Sequence, residues 1–272
     1  MRLFIALAAF FLTVSTATAS PQRIISTIPA VTEMLYALDL GDRVVGVTTN
    51  CNFPPAAKKK NKVGGFFINL ERVVALKPDL VVMQEDAQKR DVERLKNHGL
   101  PVLAINPKNV EGVLDALLAI GRATGKEAAA QALTAELRRR LERARPKIFG
   151  LELLLRKHPR ALVIVGVDPL VVAGAGSFIN DILKQAGVEN LAAGVGGEYP
   201  QYSLEKMIEE NPPYLIVPAG LVNPARLQAD RRWQNVEAVK NGKILFLDQD
   251  IISRPGPRVV DAVEAIANFV YH

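Results

Sequence analysis

Cysteine occurs once, as Cys51, among 272 residues. That excludes an intramolecular disulfide and a cysteine-based zinc knuckle. Histidine occurs three times, as His98, His158 and His272, and no pair stands at metal-ligand spacing, so no resident metal is expected. Aromatic residues are scarce at 6%, and none interleave with the basic runs at 58–62, 138–140 and 156–157. The net charge of +6 therefore reads as solvated basic faces or as attraction for an anionic ligand, and no nucleic acid is expected as a partner. Beyond residue 19 no apolar run approaches the roughly 20 residues that span a bilayer. Hydrophobic residues at 49% and charged residues at 23% exclude a disordered or collagen-like chain.

Catalytic and nucleotide motifs are missing as well. In GAGSF, from Gly174, the serine comes one position too late for a nucleophile elbow. GRATGK at 121–126 is one residue short of a phosphate loop and follows a helix, so it reads as a helix–helix connection. The carboxylate pairs Glu85-Asp86 and Glu209-Glu210 read as solvated loop or helix surface. No side chain emerges as nucleophile or base, so the chain is not expected to be an enzyme and needs no cofactor.

What is present begins with a leader. Residues 1–19 carry Arg2, an apolar run and the small-x-small sequence Ala17-Thr18-Ala19, the pattern of a cleavable signal peptide. No cysteine follows at that site, so the expectation is a protein free in the periplasm and not a lipoprotein. The remainder alternates short apolar runs with helical spacing, which predicts α/β architecture with parallel strands covered on both faces. Strands are expected at 23–26, 43–47, 80–83, 103–105, 161–165, 214–217 and 244–247. Helices are expected at 32–38, from the Asn69 cap to Pro78, at 92–97, 178–183, from the Ser203 cap to Asn211, and from Pro257 to Phe269.

The chain repeats itself. INLERVV and YSLEKMI align, setting Glu71 on Glu205, and each segment precedes a proline-stopped strand. Between the halves, residues 125–145 are rich in Ala, Leu, Glu and Arg, with Leu133, Leu137 and Leu141 on one helical row. The expected organisation is a leader at 1–19, a first lobe at 23–124, a bridging helix at 125–149 ended or kinked by Pro146, and a second lobe at 160–272. Each lobe should hold a central, mainly parallel sheet flanked by helices, joined to the other by one long helix. Ligands of open parallel sheets bind in loops beyond the strand C-termini. The candidate loops are 27–31, 48–53, 64–68, 84–86, 171–176, 194–199 and 249–254.

RIISTIPAVTEMLYAL, NCNFPP, INLERVVALKPDLVV, YSLEKMIEENPPYLIV and SRPGPR resemble the helix-bridged periplasmic binding proteins of ABC importers for cobalamin and iron chelates. NCNFPPAA and RPGPR resemble the cobalamin-binding subgroup most. The resemblance implies a carrier that captures a corrinoid between its lobes and delivers it to a membrane permease, with heme or a ferric siderophore as the alternative cargo. An exported enzyme or a ligand sensor is the lesser reading. On the ligand walls it places Pro29, Ala30, Asn50, Phe66, Phe67 and Gln84 from the first lobe. From the second it places Val172, Gly174, Tyr199, Asp250, Ile251 and Arg254, the last held by Pro255 and Pro257 to grip a phosphate, carboxylate or amide. Gly65, Gln84 and Ile251 stand where the subgroup often has tryptophan; Tyr199 keeps a ring, and Phe66 and Phe67 compensate. Trp233 is expected in the packing of the second lobe. The resemblance further implies that Glu71 and Glu205, one per lobe, dock on arginines of the permease. A monomer is expected.

Overall fold

The computed structural model describes residues 20–145 and 158–272. The leader at 1–19 and the expected end of the bridging helix at 146–149 lie outside the described residues.

The first sheet runs in the order β3-β2-β1-β4-β5. Its strands are β1 (Ile24–Ser26), β2 (Val44–Val47), β3 (Asn61–Lys62), β4 (Leu80–Gln84) and β5 (Val102–Ile105). All its pairings are parallel. The crossovers carry α1 (Pro29–Ala37), α2 (Leu70–Ala75) and α3 (Glu85–Asn97), followed by α4 (Val110–Thr124). Proline at the first position of α1 has its φ preset for the helix and loses no needed hydrogen bond.

The second sheet repeats this frame. Its strands are β6 (Arg160–Val167), β7 (Leu170–Val172), β8 (Glu189–Asn190), β9 (Tyr214–Pro218) and β10 (Ile244–Leu247). β6 takes the central place of β1, with β9 and β10 beyond it in parallel, as β4 and β5 lie beyond β1. The helices here are α6 (Phe178–Gln185), α7 (Leu204–Glu210), α8 (Pro224–Ala229), α9 (Glu237–Lys240), α10 (Gln249–Ser253) and α11 (Val259–Tyr271).

Three sequence expectations need correction. Helical structure starts at Glu85, before the expected 92: Glu85 and Asp86 form a short turn that the non-helical Gln88 (φ −134°) divides from the main run of α3. Acidic side chains suit a helix N-terminus, and the polar first half of α3 hides its periodicity. β7 forms an antiparallel hairpin with β6 where a loop was expected. Residues 249–253, also expected as loop, form α10, whose start is capped by Asp248 accepting from the Asp250 N–H at 2.7 Å.

α5 (Glu127–Ala144) packs against α4 and α11. Arg140 on α5 donates to Asp261 and Glu264 on α11, and Arg138 pairs with Glu111 on α4. One continuous apolar cluster runs from Val31, Met34 and Leu35 of the first lobe through Leu114, Leu117 and Leu137 to Ile182, Val263 and Ile266 of the second. The lobes therefore share a core and do not meet only through a linker. Trp233 is buried in a second cluster with Leu162, Met207 and Leu215, as expected.

Candidate functional site

Charge meets charge where the lobes touch. Glu33 lies on α1 among buried Ala30, Val31, Met34 and Leu35, and its side chain is only 2% exposed. A carboxylate there is tolerable only if paired. Two arginines of the second lobe pair it. Arg254 donates to Glu33 at 2.9 Å, and Arg258 donates through two nitrogens at 2.7 and 2.9 Å. Gly256, between them, passes so close to α1 that a Cβ there would lie 3.4 Å from the Glu33 carboxylate.

The cluster extends into the loop after β2. Asn52 accepts from Arg254 at 2.7 Å and donates to Asp250 at 2.9 Å, and Asp250 also pairs with Arg254 at 2.6 Å. The Arg258 guanidinium stands 4.0 Å over the ring of Phe53. Hydrogen bonding to Glu33 holds Arg258 above the usual arginine range, against the opposing effect of burial. Two carboxylates and two guanidiniums leave this floor formally neutral. Asp250 and Arg254 were expected on the wall and come together here. Arg254 is held in place by Glu33, Asn52 and Asp250 together, which fixes its guanidinium at the lobe contact.

Exposed rings stand on loops of both lobes. Phe66 and Phe67 are 74% and 81% exposed and meet edge to face with centroids 5.3 Å apart. They sit on a tight turn closed by Gly65 N–H donating to the Phe67 carbonyl at 3.1 Å and by pairing of Gly64 with Ile68. Gly64 has φ +137°, and a Cβ there would lie 2.3 Å from the Phe67 carbonyl, so only glycine fits.

Tyr199, 48% exposed, rides a loop tied to β7 and the segment after it. Val172 N–H donates to Pro200 at 3.1 Å and Gly174 N–H to Glu198 at 2.8 Å. A Cβ at Gly174 would lie 2.5 Å from the Gly197 carbonyl. Partial burial, and secondarily the charge of Glu198, hold the Tyr199 hydroxyl above its usual range, so it is a neutral hydrogen-bonding group. Val172 and Gly174 were expected as wall residues. Instead the Val172 side chain is fully buried in the second-lobe core and Gly174 lies under the loop; both support Tyr199 through their backbones.

The remaining expected residues line up on the same edges. Pro29 and Gln84 are half-buried at the start of α1 and the end of β4, Ala30 is buried beneath Gly256, Asn50 is exposed, and Ile251 is half-buried on α10. Glu71 and Glu205 lie elsewhere, exposed in the first turns of α2 and α7. A separate pocket of about 550 Å³, lined by Val167, Leu170, Leu204 and Trp233 among others, lies within the second lobe and includes none of the expected site residues.

Sequence reasoning missed Glu33, Asn52, Phe53 and Arg258. A signal existed for two of them. Glu33 is a charge on the apolar face of α1, and Arg254 and Arg258 stand four apart around Pro-Gly-Pro.

The profile of the periplasmic binding protein family matches residues 24–251. The chain belongs to that family. An ABC transporter substrate-binding lipoprotein of Bacillus subtilis, YvrC, is 33% identical over 92% of this chain and 80% of that protein. Among solved structures, the periplasmic vitamin B12-binding protein BtuF of Vibrio cholerae is similar with a TM-score of 0.79 and 25% identity, covering 93% of this chain and 98% of that one. A periplasmic heme-binding protein of Pseudomonas aeruginosa is similar at a TM-score of 0.78 and 25% identity, covering 92% and 93%. In this periplasmic binding protein, exposed rings from both lobes thus accompany a rigid, charge-balanced floor. Such a site can stack against a broad ligand and hydrogen-bond its edges.

Proposed function

We propose that this chain is the substrate-binding protein of an ABC importer and captures one corrinoid between its lobes. The observation that carries this reading is the floor. Asp250, Arg254 and Asn52 form a ready, charge-neutral set of donors and acceptors, suited to neutral amide groups on a ligand edge. Phe66, Phe67 and Tyr199 supply ring surface from both lobes for a large macrocycle. The likeness to vitamin B12-binding proteins agrees with it. Heme is the second reading, favoured by the likeness to heme-binding proteins, but its acidic edge would have to compete with Glu33 and Asp250 for Arg254.

Residues 1–19 export the chain, which works in the periplasm as a monomer. Glu71 and Glu205 dock it on the permease. The test is purification from the native host followed by an absorption spectrum. Corrinoid bands in the eluted protein would support the reading, and heme or ferric-chelate bands would replace it with the alternative.

A further inference from the structure

Six large hydrophobic side chains are exposed among the described residues: Phe53, Phe66, Phe67, Tyr199, Val74 and Ile208. The first four lie on the loops of the site just described. Val74 and Ile208 do not. They sit on α2 and α7, and the alignment that sets Glu71 on Glu205 sets Val74 on Ile208.

The two segments match in detail. Asn69 and Ser203 cap them by accepting from the N–H of Arg72 and Lys206, each at 3.0 Å. Val73 and Met207 are the buried residues of the two helices. Each glutamate is followed three positions later by the exposed aliphatic, 47% exposed for Val74 and 37% for Ile208. Residues three apart share a helix face, so each lobe presents one carboxylate beside one aliphatic side chain. Neither carboxylate has an ion-pair partner among the described residues, whereas Glu111, Glu136, Asp261 and Glu264 do. The adjacent cations are engaged elsewhere: Arg72 donates to the Lys62 carbonyl at 3.4 Å, and the Lys206 ammonium stands 5.3 Å over the Tyr202 ring.

A single exposed aliphatic residue needs no explanation. An exposed aliphatic side chain, at the same place, beside a carboxylate without an ion-pair partner among the described residues, in both lobes, is a duplicated surface. We propose that Val74 and Ile208 are docking residues that complete each glutamate contact, and that the occupant is the importer's permease. This rests on the importer reading above. A surface repeated once per lobe fits a partner that repeats its own, namely a permease of two membrane subunits. Each subunit would offer a basic side chain to the carboxylate and an apolar side chain to Val74 or Ile208. Burying the aliphatic contributes affinity, whereas the ion pair on an exposed rim contributes mainly orientation and on-rate.

The experiment measures binding of the purified protein to the host importer's permease in nanodiscs, for Val74→Ser, Ile208→Ser, their double variant and Glu71→Gln/Glu205→Gln. Each serine change should weaken binding about tenfold and the pair about a hundredfold. The salt dependence should remain in the serine variants and vanish in the glutamine pair. Ile208→Leu should bind like the parent. Melting temperature and cyanocobalamin affinity should not change in any variant. If the serine variants bind normally while the glutamine pair is impaired, the aliphatic contact is refuted and the importer reading stands. If the parent itself does not bind the permease, both fall.

Discussion

Glu33 is the residue on which the interlobe contact turns. Its carboxylate is taken out of water and returned three charge-assisted hydrogen bonds by Arg254 and Arg258. Removing one partner of such a cluster leaves uncompensated charge, which costs about 3–5 kcal/mol in well-buried cases. Both guanidiniums keep some contact with water, 15% and 19% exposed, so Glu33→Gln should cost about 3 kcal/mol, at the low end of that range. Urea unfolding measures it, and a loss under ~1 kcal/mol would mean solvent already screens the cluster. Little of this was legible in the sequence. Asp250 and Arg254 were picked out through a family likeness, but their partners Glu33 and Asn52 lie about 200 positions away in the chain, a pairing that no local pattern encodes. Val172 shows the same limit: a valine reads the same whether it faces a ligand or a core, and here its side chain lies in the second-lobe core.

The elements were far more legible, because capping and punctuation are local. Asn69 and Ser203 were read as caps, and in the structure each accepts the expected N–H. Gly125, expected as the first residue of the bridging helix, instead ends α4 with φ +68°, and α5 starts at Glu127. Two of the misses are short or polar: α10 is five residues long, too short to show a period, and the first half of α3 is almost wholly charged. Because both caps stand alone at exposed helix starts, Asn69→Ala and Ser203→Ala should each destabilise by about 1 kcal/mol and should add when combined. Thermal or urea unfolding of the two single variants and the double variant checks both the size and the additivity. A large shortfall would mean that helix packing, not capping, holds α2 and α7.

At the scale of the whole molecule, three links join the lobes: the continuous apolar cluster, the Arg140 pairs between α5 and α11, and the Glu33 cluster. Each would have to be broken for a wide hinge opening. X-ray scattering with and without cyanocobalamin should therefore show nearly the same radius of gyration, and a marked compaction would show that these links give way.

The two-lobed α/β architecture was visible from the alternation of elements and the internal repeat. The cargo was not, because it depends on which groups converge across the cleft. In the proposed function a corrinoid is held over a neutral, pre-paired floor. Titration calorimetry with cyanocobalamin and, separately, with hemin tests this most directly. The expected result is saturable corrinoid binding near one molecule per chain and much weaker binding of hemin. Hemin binding without corrinoid binding would contradict it.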